Sequence, residues 1–211
     1  MASLNQIVYN IAEAAGDSTN TVLLERLKFM VEYYRALFVR RDSAQNFNLP
    51  DRLAQNLTFE MEWVNAVEAC GVSLPCQILC TKEQVPTPLN TKNASGFLYV
   101  GAVDGQESYQ YITPEQVPYA ITGKFTGNQP KYFYKNGRIC IINSSAMCID
   151  VKMVAESPAT GGPQGGGGVT CIDPDAEYPI TMDMVQRITQ AIMGAELRMH
   201  RPDDDEQIEL K

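Results

Sequence analysis

Few side chains in this sequence are of the types that perform nucleophilic or metal chemistry. His200 is the single histidine, and a Cys–His nucleophile pair would need it to fold back onto one of six cysteines. Nothing in the spacing indicates such a pair. Cys76 and Cys80 are spaced like zinc ligands. However, residues four positions apart lie on the same face of a strand, so their place along a predicted strand favours packing over a metal site. Because we see no secretory signal, we predict free and mostly buried thiols.

Carboxylates and glycines give the remaining candidates for a ligand site. Asp173, Asp175 and Glu177 form a D-x-D-x-E run that could hold a hard cation, but the run lacks the central glycine and distant glutamate of an EF-hand. A solvated turn is the favoured interpretation. The glycine-rich stretch 161–168 is not followed by Gly-Lys-Ser/Thr, so it is not a phosphate-binding loop. We predict no enzyme activity, no catalytic residue, no cofactor and no metal.

The overall charge argues against nucleic acid as a bound ligand. The chain has 211 residues and a formal net charge of −8, whereas affinity for DNA or RNA comes largely from lysine and arginine displacing counterions. The N-terminus shows no signal peptide, and no apolar run approaches the roughly 18 residues of a membrane span. We therefore expect neither sequence-specific DNA binding nor membrane insertion.

Three helices are predicted from apolar periodicity and capping residues. The first runs from Leu4 to Ala15, with Ser3 and Gln6 as a capping box and Gly16 as the stop. The second runs from Thr21 to Arg41, and the third follows Thr181 and ends near Met199. The apolar stripe of the second helix indicates core packing, with a partner-binding groove as the alternative; it comprises Leu23, Leu24, Leu27, Met30, Val31, Tyr34, Leu37 and Phe38.

A β-hairpin is the clearest element between the helices. Asn136-Gly137 suits a two-residue type I′ turn, which pairs Lys135 with Arg138. The following run, from Met147 to Ala155, alternates apolar and polar residues, and we predict that it joins the hairpin as a third strand with one buried face. The stretch Phe97–Val103 is apolar on both faces, so we predict a central strand there.

The predicted fold class is α+β: a central antiparallel β-sandwich or barrel-like domain, flanked by N-terminal helices and a C-terminal helix with an extended tail. Leu57, Phe59, Met61 and Trp63 alternate with polar residues and give this domain a strand with one wet face. The predicted parts are N-terminal helices at 1–50, a β domain at 51–158, a glycine-rich linker at 159–180, and a C-terminal helix with acidic tail at 181–211.

The order of these elements resembles a family of phage proteins. The chain carries a short leading helix, the long helix ending YYRALFVRR, the strand LTFEMEW, the link CTKEQVPTPLN, the hairpin KYFYKNGRICII, the strand CIDVKMVAESPAT and the segment DAEYPITMDMVQRITQAIMGAEL with a Pro-Asp tail. This order resembles the head-to-tail connector (ring) proteins of crAss-like phages. The resemblance implies a virion structural protein, assembled in the bacterial host cytoplasm, whose copies form a closed ring, a dodecamer, beneath the portal with DNA passing through its centre.

The resemblance also implies contacts with the portal protein and with adjacent ring or tail proteins. We predict that the N-terminal helices and the 171–211 arm supply the contacts between copies, although a solvated helix end and a solubilising tail are the simpler interpretations of the charged residues. The predicted partner-binding residues are Leu4, Ile7, Arg35, Arg40, Arg41, Asp203, Asp204, Asp205, Ile208 and Leu210. The alternatives are a monomeric protein-binding β module, another neck or tail accessory protein, and an enzyme of unrecognised type.

Overall fold

A computed structural model describes residues 3–45, 51–67, 77–90, 96–122, 129–158, 175 and 177–196. In this part of the chain two helices are followed by seven strands, with a short helix between the fourth and the fifth strand, and then by a further helix. The helices are α1 (Leu4–Ala15), α2 (Thr21–Gln45), α3 (Val117–Thr122) and α4 (Met182–Ala191), the last continued by a π-helical turn (Ile192–Glu196). The strands are β1 (Gln55–Asn65), β2 (Gln77–Thr81), β3 (Phe97–Ala102), β4 (Gln110–Tyr111), β5 (Lys131–Lys135), β6 (Arg138–Ile142) and β7 (Cys148–Met153).

The helices follow the predicted capping signals. The Ser3 hydroxyl accepts the backbone N–H of Gln6, and the Gln6 side chain accepts the Ser3 N–H, which completes the capping box. Gly16 ends α1 in the left-handed conformation at φ 83°, where glycine carries no steric cost. Helix α2 continues four residues past the predicted end at Arg41, to Gln45. Thr181 precedes α4 as its N-cap residue, as predicted.

The seven strands form one mostly antiparallel sheet that curls into a near-closed barrel. Their order is β3-β7-β1-β2-β6-β5-β4, and only β4 and β5 pair in parallel. The two ends of the sheet approach each other where Gly101 forms a bridge with Ser108 and the Tyr109 N–H donates to the Val100 carbonyl at 2.8 Å. The predicted α+β class with a barrel-like centre is confirmed.

The predicted three-stranded platform is wrong, although its hairpin is confirmed. The hairpin pairs β5 with β6 in the predicted register, with Asn136 and Gly137 at positive φ. Strand β7 pairs instead with β1 and β3, because β1 is eleven residues long: its first half, to Glu60, pairs with β7 and its second half, from Met61, pairs with β2. The hairpin also buries both faces rather than one.

Two further predictions for the β region are corrected. Strand β3 lies at one end of the strand order rather than at the centre, and Leu98 on its outer face is 40% exposed. The cysteines are not all free, because β2 pairs directly with β6 and places Cys80 opposite Cys140, where the two form a disulfide. Cys148 is a free and exposed thiol.

Three apolar clusters fill the described structure. The barrel interior includes Phe59, Met61, Leu79, Ile139, Ile149 and Val151. A second cluster lies under α3 on the outer face of β2, β5 and β6, and includes Ile78, Phe133, Cys140 and Ile142. The third cluster combines α1, α2 and α4, and includes Leu4, Ile7, Ile11, Leu27, Val31 and Ile188.

The third cluster, which we call the helical core, joins the two ends of the described chain. Ser3 forms an antiparallel bridge with Glu177, and the Asn5 side-chain amide donates to the Asp175 carboxylate at 2.8 Å. The N-terminal helices and the C-terminal helix therefore share one core, although the sequence suggests separate parts. The predicted boundaries at 50, 158 and 180 stay predictions, because most of 159–180 lies outside the described residues.

Candidate assembly surfaces

Arg35 connects the helical core to the barrel. Its side chain is 0% exposed, and it lies on α2 where the chain enters β1, leaves β7 and enters α4. Its guanidinium donates from Nε to the Pro179 carbonyl at 2.9 Å, from Nη1 to Ala155 at 3.0 Å and from Nη2 to Leu53 at 3.3 Å. One planar side chain thus holds three chain segments that are far apart in sequence.

Arg35 is shielded from water, and burial shifts the pKa of two ionisable groups in this region, Arg35 and Tyr178. Burial lowers the pKa of Arg35, while the nearby Tyr178 and Glu32 oppose that shift. The Tyr178 ring lies 5.8 Å from the guanidinium carbon, and burial raises the pKa of the Tyr178 hydroxyl. Three backbone acceptors satisfy the buried cation, as a buried charge requires. Arg35 therefore performs a structural function within the chain.

The other predicted partner-binding residues lie in three kinds of environment. Leu4 and Ile7 are buried in the helical core, at 3% and 1% exposure. Arg40 is exposed and forms an ion pair with Glu156, and Arg41 is exposed one position further along α2. The five predicted contacts of the tail lie outside the described residues, namely Asp203, Asp204, Asp205, Ile208 and Leu210. Among the described candidates, only the two arginines at the end of α2 are surface residues.

Helix α2 carries a second apolar stripe that the sequence analysis missed. We define the outer stripe as Val22, Phe29, Tyr33 and Leu37, which are 77%, 70%, 56% and 44% exposed. Intervals of seven, four and four residues place them on one side of a helix. The apolar stripe predicted from the sequence packs against the helical core around the fully buried Leu27 and Val31. Leu37 was predicted to be part of it but belongs to the outer stripe instead.

The outer stripe could have been recognised from its spacing. The apolar periodicity predicted a single apolar face for α2, whereas the helix is apolar on two sides, and a pattern that assumes one face misses the second stripe. A neighbouring aromatic supports the stripe, because the Tyr33 ring contacts Tyr34 edge-on with centroids 5.5 Å apart. The stripe therefore presents partly fixed aromatic side chains to solvent.

The outer face of β1 and β7 is polar, as predicted for β1. Three ion pairs cross it: Glu60 with Lys82 at 2.7 Å, Glu62 with Arg138 at 2.8 Å, and Asp51 with Lys152 at 3.1 Å. The hydrogen bond from Lys82 lowers the pKa of Glu60 and correspondingly raises that of Lys82. This side of the barrel has its charges paired within the chain.

The sequence candidates for metal chemistry do not come together in the described structure. Asp175 accepts the hydrogen bond from Asn5, and Glu177 forms the bridge with Ser3. Asp173, Cys76, His200 and the glycine-rich stretch lie outside the described residues. Across the ranges that the structure describes, no group of three His, Cys, Asp or Glu residues is placed to hold a metal ion. No described helix is long and apolar enough to cross a membrane.

A scan against protein-family models matches residues 6–208 to a family of crAss-like phages described as phage tail ring protein 2. The chain belongs to this family. It is a phage tail ring protein and thus a structural component of the virion, which implies a role without catalysis. None of the curated proteins compared with the chain matches it. The resemblance seen in the sequence is confirmed at the level of the family.

For a ring protein, the relevant functional sites are the surfaces between copies rather than a catalytic pocket. The described chain offers two contrasting surfaces: a barrel face with paired charges, and the outer stripe of α2 with exposed aromatic and aliphatic side chains. Aromatic residues are enriched at protein interfaces, and contiguous exposed apolar surface commonly marks an interaction site. The outer stripe is therefore the candidate assembly surface of this ring protein.

Proposed function

We propose that this protein is a subunit of a closed ring in the head-to-tail connector, beneath the portal, through which the phage genome passes. The family match over residues 6–208 carries the proposal, because a tail ring must lie on the path that the genome follows out of the capsid. The ring contains twelve copies in this proposal. Its partners are the portal protein and the adjacent ring or tail proteins.

The shape of the subunit supports this function. A closed ring needs two different and complementary surfaces on each subunit, since each contact is head-to-tail. The barrel provides a body with a nearly continuous hydrogen-bonded sheet, and the three backbone bonds of Arg35 fix the helices on it. A body of this kind holds the outer stripe at a constant angle to the barrel.

The charge of the chain supports passage of DNA without retention. The formal net charge is −8, and each phosphate neutralised by a basic side chain would add salt-dependent affinity. A basic channel would hold the genome, whereas an acidic one repels it. We therefore infer that DNA moves through the ring without sequence-specific contacts.

The mass of the full-length protein in solution tests the proposal. Light scattering after size-exclusion chromatography is measured on the protein alone and again after addition of a portal complex from the same phage. We expect a species of twelve times the 23.4 kDa chain mass, either alone or formed on the portal. A monomer that ignores the portal contradicts docking beneath it, and pull-down with the other tail proteins then separates a ring elsewhere in the tail from a monomeric binding module.

A further inference from the structure

We propose that the acidic C-terminal segment of one copy, residues 202–211, binds the outer stripe of α2 on the neighbouring copy. This inference rests on the proposed function, because it describes a contact between copies of the ring. The occupant is a named part of this chain, PDDDEQIELK, which follows the described residues. The receptor is the outer stripe together with the two arginines that continue it.

The receptor surface is long enough for a short peptide. Val22 and Leu37 are fifteen residues apart, and at a rise of 1.5 Å per residue the stripe extends for about 22 Å. Phe29 is 70% exposed and Tyr33 is 56% exposed, so docking would remove a large apolar area from water. This gain in free energy requires a partner that has apolar side chains of its own.

The tail has apolar side chains at a matching interval. Ile208 and Leu210 are two residues apart, so they lie on the same side of an extended chain, about 6.6 Å apart. Phe29, Tyr33 and Leu37 follow one another at four-residue intervals, about 6 Å along the helix axis. Two tail residues can therefore occupy the spaces between successive residues of the outer stripe.

The charges of the two segments are complementary. Arg40 and Arg41 lie at the C-terminal end of the stripe, and both are exposed, with Arg40 also paired with Glu156 of its own chain. The tail places Asp203, Asp204 and Asp205 ahead of its apolar pair. An extended chain spans about 17 Å from Asp205 to Leu210, close to the length of about 18 Å from Arg41 back to Phe29. The three aspartates can therefore lie beside the two arginines while Ile208 and Leu210 contact the outer stripe.

Helix α4 contacts the C-terminal end of α2. Arg187 on α4 forms a two-point ion pair with Asp42, with contacts of 3.1 and 2.6 Å, so the last described helix lies beside the end of α2. Glu196 follows Arg187 by nine residues, about 13 Å along a helix, and the five residues 197–201 can span up to about 16 Å, so residues 202–211 can reach the basic end of a stripe. Because a head-to-tail ring joins two unlike surfaces, we assign the tail to the stripe of the next copy.

Site-specific photo-crosslinking tests this assignment in the full-length protein. The photoreactive p-benzoylphenylalanine replaces Tyr33 on the outer stripe, and the ring-sized fraction, formed alone or on the portal complex, is irradiated. We expect covalent dimers on a denaturing gel, with residue 33 joined to a peptide from 202–211. The matched control places the same group at Tyr119 on α3, which is 77% exposed and lies outside the stripe, and gives no link to 202–211.

A tail variant adds a second readout. Replacing both apolar tail residues, Ile208→Asp and Leu210→Asp, is expected to reduce the yield of the residue-33 dimer at least ten-fold. The thermal melting curve of the variant is compared with that of the unmodified protein, so that a reduced yield is scored only on a folded chain. An unchanged yield contradicts the inference.

The outcomes separate this inference from the proposed function. If no ring-sized species forms alone, on the portal or with other tail proteins, the proposed function fails and the inference fails with it. If rings form but residue 33 links to its own tail within a monomer, to another part of the neighbour or to nothing, only the inference fails. A link between copies that depends on Ile208 and Leu210 supports both.

Discussion

The helical core and the barrel achieve stability in different ways. The barrel closes through backbone pairing around a continuous sheet, with its outer charges in ion pairs that belong to the same chain. The helical core joins segments from the two ends of the chain, and the buried Arg35 links it to the barrel through three carbonyls. The barrel is closed by backbone hydrogen bonds, whereas the helices are held together by apolar packing and attached to the barrel by the bonds of Arg35.

The two regions also differ in what they leave exposed. The described outer face of β1 and β7 shows polar and charged side chains, whereas α2 shows an apolar stripe on the side turned away from its own core. The described part of the chain covers only one side of this helix. In the proposed ring, the barrel is therefore the rigid body of the subunit and α2 is the part that contacts another chain.

Removal of the Arg35 side chain should produce the largest effect. Arg35→Ala leaves the carbonyls of Leu53, Ala155 and Pro179 without their donor, at a cost of about 1–3 kcal/mol for each group that stays buried. We expect the free energy of unfolding to fall by more than about 3 kcal/mol in urea titrations. Arg35→Lys should recover only part of the loss, because an ammonium group cannot reproduce the planar fork.

Arg40→Ala is the matched control for the buried arginine. It removes an exposed ion pair with Glu156, and such pairs contribute about 0–1 kcal/mol. An Arg35→Ala variant as stable as Arg40→Ala would contradict the view that one side chain joins the two regions.

The two faces of α2 should respond differently to truncation. Leu27 is fully buried in the helical core, so Leu27→Ala should lower the free energy of unfolding by about 2–5 kcal/mol. Phe29→Ala, two residues away on the outer stripe, should change it by less than about 0.5 kcal/mol. Urea unfolding of the two variants measures the contrast. A loss of several kcal/mol in Phe29→Ala would show that the outer stripe is already packed within the monomer.

The disulfide should give the barrel a redox dependence that the helical core lacks. Cys80 and Cys140 are separated by 60 residues, and closing a loop of this length contributes about 2–4 kcal/mol. We expect a reductant to lower the free energy of unfolding by this amount. Alkylation of the denatured, unreduced protein followed by mass spectrometry should label Cys148 and leave Cys80 and Cys140 unlabelled; labelling of all three would contradict the pairing.

The local parts of this structure could be predicted from the sequence, and the non-local parts could not. The cap at Ser3, the stop at Gly16 and the turn at Asn136-Gly137 are each encoded within a few residues. The place of β7 was mispredicted, because adjacency in sequence favours pairing with the hairpin, while the length of β1 decides the real order. The Cys80–Cys140 pairing depends on that same order.

The candidate surface shows the same limit. The arginines at positions 35, 40 and 41 were all predicted to bind a partner, yet the first faces the interior and the other two face solvent. Five residues separate position 35 from position 40, so the two side chains lie on different sides of the helix. Which side is buried depends on Ala155 and Pro179, which are more than a hundred residues away in the sequence. The resemblance to the family rests on the order of elements, which such local errors leave unchanged.

The smallest effect expected is an alkaline sensitivity that both regions share. Burial raises the pKa of the Tyr132 hydroxyl in the barrel to about 12, and burial also raises the pKa of Tyr178 in the helical region. An unfolded tyrosine loses its proton near pH 10. Between about pH 10 and 12 the folded state therefore binds more protons than the unfolded state, so stability is complete below pH 10 and falls as the pH rises.

Substitution by phenylalanine measures the share of each region. Tyr132→Phe should remove one proton from the difference between the two states, which reduces the alkaline slope of the free energy of unfolding by less than about 1.4 kcal/mol per pH unit. Tyr178→Phe should have a similar effect and should cost little at pH 8, because the buried Tyr178 hydroxyl has no hydrogen-bond partner in the described structure. Equal slopes in the unmodified protein and in both variants would show that neither hydroxyl keeps its proton in the folded state. Unequal changes would show that burial raises the pKa of the two hydroxyls by different amounts.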